Sequence, residues 1–331
     1  MSGGARSQVA VLTPALSESA SLDDQDTLIE AETVSRALEE LGYEAVSVPF
    51  SLDLERAAAA LRELSPAFVF NLIESVDGDG RLIFLAPALL EHLKLPYTGA
   101  GLDAMYLTSN KLLTKERLSS HGIATPAWCV LPCAEPPWPG PFIVKSIWED
   151  ASIGLDDDSV VADREALKRL WERRRAEPGA PFFAEAYVEG RELAVSVVAG
   201  PRGLEALPIA EILFQGYPEG KPRIVGYPSK WVHDSFEFQN TPRCFDLPAE
   251  DGPLLERLGE ISKRCFELFG LRGYARVDFR VDAAGEPFVL EVNPNPCISP
   301  DGGLAAAAQR AGLTLTELVA RIVRSSLPEP T

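Results

Sequence analysis

Near the end of the chain, the segment GYARVDFRVDAAGEPFVLEVNPNP (273–296) carries Arg276, Asp278, Glu291 and Asn293 on two stretches that alternate in polarity around the turn AAGE. Pairing Asp282 with Pro287 across that turn sets Asp278 opposite Glu291 and Arg276 opposite Asn293. Alternation then puts all four on one face. Val277, Phe279 and Val281 form the other face, against Phe288, Leu290 and Val292, as a core surface. Two carboxylates directly opposed on a sheet repel. A divalent cation compensates them: Asp278, Glu291 and the Asn293 carbonyl are hard oxygen ligands suited to Mg²⁺. Arg276 beside them would steady charge on a transferring phosphoryl group. The same spacing also fits a solvated polar face in which Arg276 and Arg280 neutralise the acids.

The elements that must hold this hairpin are legible in outline. VAVLTP (9–14), AVSVPF (45–50) and AFVFNLI (67–73) read as strands, separated by helical patterns at 26–41 and 53–64. In the first helix Leu28, Ile29, Val34, Ala37, Leu38 and Leu41 mark the apolar side. Strands alternating with helices imply a parallel sheet wrapped by helices. RLIFLAPALLEHL (81–93) is expected as one helix, and SNKLLTKERLSSHG (109–122) as another capped by Ser109. PFIVKS (141–146) and PFFAEAYV (181–188) read as strands, with a loop at 148–159 and a helix at 163–175 between them. Two strands, an irregular stretch 214–250 and a helix 252–269 lead to the hairpin. A helix–turn–helix (305–327) closes the chain.

Composition narrows the function. Hydrophobic residues make up 46 % and charged residues 24 %, a globular mix without an apolar run long enough to span a membrane. Its start lacks the apolar length of a secretory signal; the reading is a cytoplasmic protein with no membrane partner. A net charge of −18 argues against a nucleic-acid partner. Three dispersed His exclude a His-based zinc site or Ser-His triad, and five dispersed Cys without C-x-x-C spacing read as reduced thiols.

With these residues in view, VDFRVD and FVLEVNPNP resemble the closing signature of ATP-grasp enzymes. FNLIESVDGDGRLIFLAPALLEHLKLPYTGAG followed by SNKLLTKERL resembles the D-alanine–D-alanine ligase family. That resemblance implies an α/β and α+β ATP-grasp fold. It would comprise an N-terminal Rossmann-like domain (1–102), a central ATP-binding subdomain (103–188) and a C-terminal catalytic subdomain (189–331), the last two clamping ATP. It assigns Lys111, Lys145 and Lys230 to the phosphates, three of only eight lysines. In EAYVEGRE (185–192), Glu185 would accept from the adenine amino group. The Ala186 and Val188 backbone would meet the ring edge, and Glu192 the ribose hydroxyls. Ser152 and Gly154, in WEDASIG, stand where a lid covers the phosphates. Asp278, Glu291 and Asn293 match the Mg²⁺ ligands (Mn²⁺ being the substitute), and Arg276, Lys230 and Ser152 the catalytic set. The family's common dimers imply a homodimer.

Departures concentrate where that family grips its two alanines. The first-strand loop is TPALSESASLDDQD, with Asp23, Asp24 and Asp26 as the substitute acids for a substrate-binding Glu. The expected His is Ile73 or Glu74, the lid's first Ser is Ala151, and the Tyr that bonds it is Trp231. Cys297 replaces a Gly, and Gly302 the Ser that grips the acceptor carboxylate. Nucleotide and metal positions persist while these do not. The expectation is therefore a carboxylate–amine ligase working through an acyl phosphate on substrates other than two D-alanines; the acidic loop 18–26 would favour a cationic one. Cys297 reads as pocket lining, since an acyl phosphate needs no covalent enzyme intermediate and no His activates the thiol. The alternatives are a true D-alanine–D-alanine ligase, a small-molecule phosphotransferase and a non-catalytic ATP-binding module.

Overall fold

A computed structural model of the chain describes residues 6–15, 22–132, 136–148, 152, 154–175 and 181–327, with 22–25 by backbone alone. Three sheets organise it. The first is parallel: strand Gln8–Pro14 lies between Glu44–Phe50 and Val69–Asn71. Its central strand is buried on both faces. Ala10 and Leu12 enter one core and Val9 and Val11 the other, which is why it reads as a continuous apolar run.

The second sheet, of four antiparallel strands, runs Trp128–Val130, Phe182–Ala186, Phe142–Ser146, Val160–Val161. In the third, Arg243–Cys244, Ala210–Ile212, Arg191–Gly200, Tyr274–Val281 and Pro287–Asn293 lie in that order, with Gly203–Ala206 also on Arg191–Gly200. Gly203–Ala206 and Ala210–Ile212 are separated around Pro208, which has no N–H for the ladder. The stretch 214–250 is not wholly irregular: short helices Tyr227–Trp231 and Phe236–Asn240 lie within it. Among the described residues no helix is long and apolar enough to cross a membrane.

Several local expectations shift. The helix expected at 81–93 is a 3₁₀ turn, Gly80–Leu82, followed by Leu85–Leu93. Ser109 is not a cap; it ends helix Leu102–Ser109, its hydroxyl donating to the Met105 carbonyl at 2.8 Å. Asn110 is the cap, accepting from the N–H groups of Leu112 (3.0 Å) and Leu113 (3.1 Å). The first helix spans Leu22–Glu40, so Asp23, Asp24 and Asp26 stand on a helix rather than a loop. Its inward face is Thr27, Glu30, Ala31, Val34, Ala37 and Leu38, while Leu28 and Ile29 are each 53 % exposed.

One core joins Leu12, Leu61 and Leu90 to Leu118, Val195, Val277 and Phe279; the other joins Val9, Val34 and Leu38 to Ile298, Leu304 and Ile322. Helices Gly303–Arg310 and Leu315–Ser326 therefore pack beside the first sheet although they end the chain. That folding-back brings the segment after the hairpin against the first helix.

Candidate active site

The hairpin pairs as expected where the polar face lies. Arg276 is opposite Asn293 and Asp278 opposite Glu291. Beyond Asp278 the register slips by one: Phe279 meets Val289, Val281 meets Pro287, and Leu290 is the extra residue of a bulge. The expected Asp282–Pro287 pair is absent because Asp282 closes the turn. Its Oδ1 accepts from the N–H groups of Ala284 and Glu286, both at 2.9 Å. As a result Val289, not Phe288 or Leu290, takes the core position, at 1 % exposure. Leu290 turns instead into a cleft lined by Ile143, Lys145, Glu185, Val188, Glu192 and Arg280.

The opposed acids are charge-balanced from three sides. Arg276 donates from Nε and Nη2 to the two Asp278 oxygens, both at 2.8 Å, and its Nη2 lies 3.7 Å from Glu291. Lys111 Nζ stands 4.0 Å from the other Glu291 oxygen. Burial pushes Asp278 upward against the pull of Arg276. Burial opposes ionisation of Glu291 too, but Lys111, Lys230 and Arg276 outweigh it and hold that carboxyl at about 2. Asn293 Oδ1 accepts from the Asn295 N–H at 2.9 Å, which fixes its carbonyl beside the pair. Hard oxygens on facing strands form a donor set fitted to Mg²⁺.

A second cluster lies on the four-stranded sheet. Lys145 donates to Glu185 Oε1 at 2.8 Å, and Lys115 pairs with Glu185 Oε2. Lys115 is fully buried, also donating to the Thr125 hydroxyl at 2.7 Å. Burial lowers it to about 8, with Lys145 and Lys111 adding to the effect and Glu185 opposing it. Burial would raise Glu185, but the two lysines outweigh it. Sequence reasoning missed Lys115; the signal was its place one helical turn after Lys111, on the buried side of helix Lys111–Ser120.

Glu192 is held by Arg280, Nη2 to Oε2 at 3.0 Å, and burial raises its carboxyl. Arg280 also donates to the Gly190 carbonyl at 2.8 Å. The Ala186 N–H is committed to the Ala127 carbonyl at 2.8 Å, so a ring-edge contact from Ala186 cannot use it. Val188 lines the cleft.

Over the cleft, two segments meet. Ser152, at φ 64°, donates its hydroxyl to the Val225 carbonyl at 2.7 Å. The Tyr227 N–H bonds the Leu155 carbonyl at 3.0 Å. A Cβ at Gly226 would stand 2.7 Å from that same oxygen, so only glycine passes there. Gly154 has φ +70°, and its carbonyl accepts from Arg174 at 2.7 Å. Lys221 ties Asp157 to Glu237 across the same seam. Lys230, on the short helix after it, acts on both Glu192 and Glu291. The Ser152 hydroxyl thus ties the two segments together. Ala151 lies outside the described residues, as do the side chains of Asp23 and Asp24.

The chain resembles known proteins in both sequence and fold. A family model described as "D-ala D-ala ligase C-terminus" matches residues 137–324. The D-alanine–D-alanine ligase of Aquifex aeolicus is 30 % identical over 305 residues, covering 90 % of this chain and 94 % of that protein. The enzyme of that name from Chromohalobacter salexigens is 34 % identical over 274 residues, covering 80 % and 79 %. The crystal structure of D-alanine–D-alanine ligase from Bacillus anthracis complexed with ATP shares the fold at a TM-score of 0.74 and 23 % identity, over 97 % of both chains.

Proposed function

We propose, from the premise that the chain belongs to the D-alanine–D-alanine ligase family of ATP-grasp enzymes, that it joins a small-molecule carboxylate to an amine at the expense of ATP. The observation that carries this reading is the half-buried Asp278–Glu291 pair, with Arg276 and Lys111 beside it and Lys230 acting on Glu291. The base and sugar would lie along Ile143, Glu185, Ala186, Val188, Leu290 and Glu192. Lys111, Lys145 and Lys230 would carry the phosphates, with Ser152 and Gly154 in the lid above them. Residues 1–102, 103–188 and 189–331 are the units proposed to close on it.

Asp278, Glu291 and Asn293 would hold Mg²⁺, which when bound offsets charge on the transferring phosphoryl group. A carboxylate oxygen of the acid substrate attacks the γ-phosphorus. The bond to the β-phosphate bridging oxygen breaks, giving an acyl phosphate and ADP. The amine then attacks the acyl carbon. Arg276 steadies the oxyanion, phosphate leaves, and the amine loses its proton. Latching of the lid through Ser152 and Lys221 excludes water that would hydrolyse the intermediate.

We further propose that the substrates are not two D-alanines, a reading supported by Cys297, Gly302, Trp231 and Ile73–Glu74 standing where the family resemblance expects alanine contacts. A true D-alanine–D-alanine ligase is the second reading, favoured by near-full-length likeness to relatives bearing that name. ADP release over a matrix of amino acids, alone and in pairs, tests both. Turnover with D-alanine alone at high kcat/KM selects the second reading. Release without any amine, yielding a stable phosphorylated acid, selects a phosphotransferase. ATP binding with no turnover on any pair overturns the ligase reading.

A further inference from the structure

Glu30 lies on the inward face of the first helix, 2 % exposed. Its Oε1 accepts from the Ile298 N–H at 2.7 Å, tying that helix to the segment after the hairpin. Its Oε2 has no hydrogen-bond partner among the described residues. Carboxylate oxygens of Glu30 and Glu74 and the Cys297 sulfur all lie within 4.8 Å of one another. One turn before Glu30, Asp26 accepts from the Cys297 thiol and the Ser299 hydroxyl, each at 3.1 Å. Burial drives the Glu30 carboxyl well above the usual carboxylate range, with Glu74 and Asp26 adding to it. Glu74 also acts on Arg276, whose Nε and Nη2 are committed to Asp278.

Three acids gathered at one orphaned buried oxygen form a pocket that suits a donor carrying positive charge. We propose that this pocket receives a cationic side-chain nitrogen of the substrate, so that one of the two amino acids joined is a diamino or other dibasic acid. The inference rests on the ligase reading and names its substrate class. An ammonium offers three donors and no acceptor, and its charge favours the ionised acids, which then act as acceptors. A dibasic amino acid enters with a net positive charge, complementary to the pocket. A metal ion fits less well: sulfur ligates as a thiolate, whereas this thiol's proton is held between Asp26 and Ser299, and burial pushes the group upward.

The test pairs turnover with binding. ADP release is measured with both enantiomers of alanine, 2,3-diaminopropionate, ornithine and lysine. Calorimetry of the same amino acids is run on protein loaded with Mg²⁺ and adenylyl imidodiphosphate. At least one dibasic acid is expected to exceed alanine tenfold or more in kcat/KM and in affinity. Glu30→Gln and Glu74→Gln, each near-isosteric, should each cut that preference tenfold while nucleotide affinity holds. Alanine preferred over every dibasic acid, or a dibasic preference untouched in both variants, overturns the proposal. So does stoichiometric binding of Zn²⁺ or Mn²⁺ alone that is lost in Glu30→Gln when no dibasic acid binds. Glu30-dependent dibasic binding without ADP release would instead sink the ligase reading and leave this pocket standing.

Discussion

The two ends of the proposed substrate cleft handle charge in opposite ways. At the proposed nucleotide end each acid discussed has its base: Lys115 and Lys145 on Glu185, Arg276 on Asp278, Arg280 on Glu192. At the other end Asp26 and Glu30 gather with Glu74 around the Cys297 thiol, and the described ion pairs commit no base to Asp26 or Glu30. The first arrangement is complete within the chain and so belongs to the fold as much as to catalysis. The second, on the proposal above, is completed by a positive ligand. A site that serves any nucleotide-dependent relative can be built in; a site that chooses a substrate keeps its demand open.

The contrast breaks most severely at Glu185. Glu185→Leu leaves Lys115 buried without a counter-charge, and removing one partner of a buried pair costs about 3–5 kcal/mol. Denaturant unfolding should register a loss of that size, partly restored in the Lys115→Met/Glu185→Leu double variant. A loss under about 1 kcal/mol would mean that water reaches Lys115, and that the paired end is not structural.

Arg276→Met comes next. It removes the group proposed to steady charge on the reacting atoms and leaves Asp278 and Glu291 facing each other. Taking away one such preorganised donor typically lowers kcat by about 10²–10³. Steady-state kinetics on the best substrate pair checks this, with circular dichroism confirming the fold. A fall of less than tenfold would make Arg276 a structural counter-ion.

How much of this the residues disclosed depends on whether a pattern had one physical solution. The acid face of the hairpin was legible because strand alternation and opposed carboxylates fix both partners. The bulge was not: Val289 and Leu290 are both apolar, so either could face the core, and the choice fell to Asp282 capping its own turn. Ser109 and Asn110 are both cap formers, and only the ending of the preceding helix decides between them. Glu30 escaped because Leu28 and Ile29 drew the apolar stripe of the first helix to the wrong side. An acid spaced with Val34, Ala37 and Leu38 was the readable sign. The meeting of Cys297 with Asp26 needed the chain's last helices to fold back on its first sheet, a contact 271 residues apart that no local pattern encodes.

Glu30→Gln sharpens the comparison from the open end, with a smaller effect of opposite sign. A carboxyl raised above its unfolded value contributes fully below the ordinary carboxylate range and loses that contribution as pH climbs through the raised value. Wild-type protein at pH 8 therefore carries a strain that the neutral amide lacks, while the amide oxygen can still accept from the Ile298 N–H. The variant should be more stable at pH 8, by about 1–2 kcal/mol on the scale of an unsatisfied buried polar group. The gain should vanish near pH 4.5, the ordinary value of the acid. Thermal unfolding at the two pH values reads both. Destabilisation at pH 8 would show that the pocket already holds its own counter-charge.

Cys297→Ala should change least. Its sulfur touches Asp26 and Ser299, as a catalytic thiol would touch its partners, yet the environment opposes a nucleophile in each respect. Burial and the neighbouring acids push the thiol up, the reverse of the basic surroundings that activate cysteine. Its proton is already shared with Asp26 and Ser299. The proposed acyl phosphate is itself activated, so no covalent enzyme intermediate is called for. Replacing Cys297 removes one weak donor from Asp26 while Ser299 retains its bond, a loss of about 1 kcal/mol or less. Turnover should therefore fall less than tenfold, and iodoacetamide at pH 7.5 should label this thiol more slowly than free cysteine. Rapid labelling with matching loss of turnover would reverse the reading of the whole acid end, because a thiolate could persist there only if a positive charge already stood beside it.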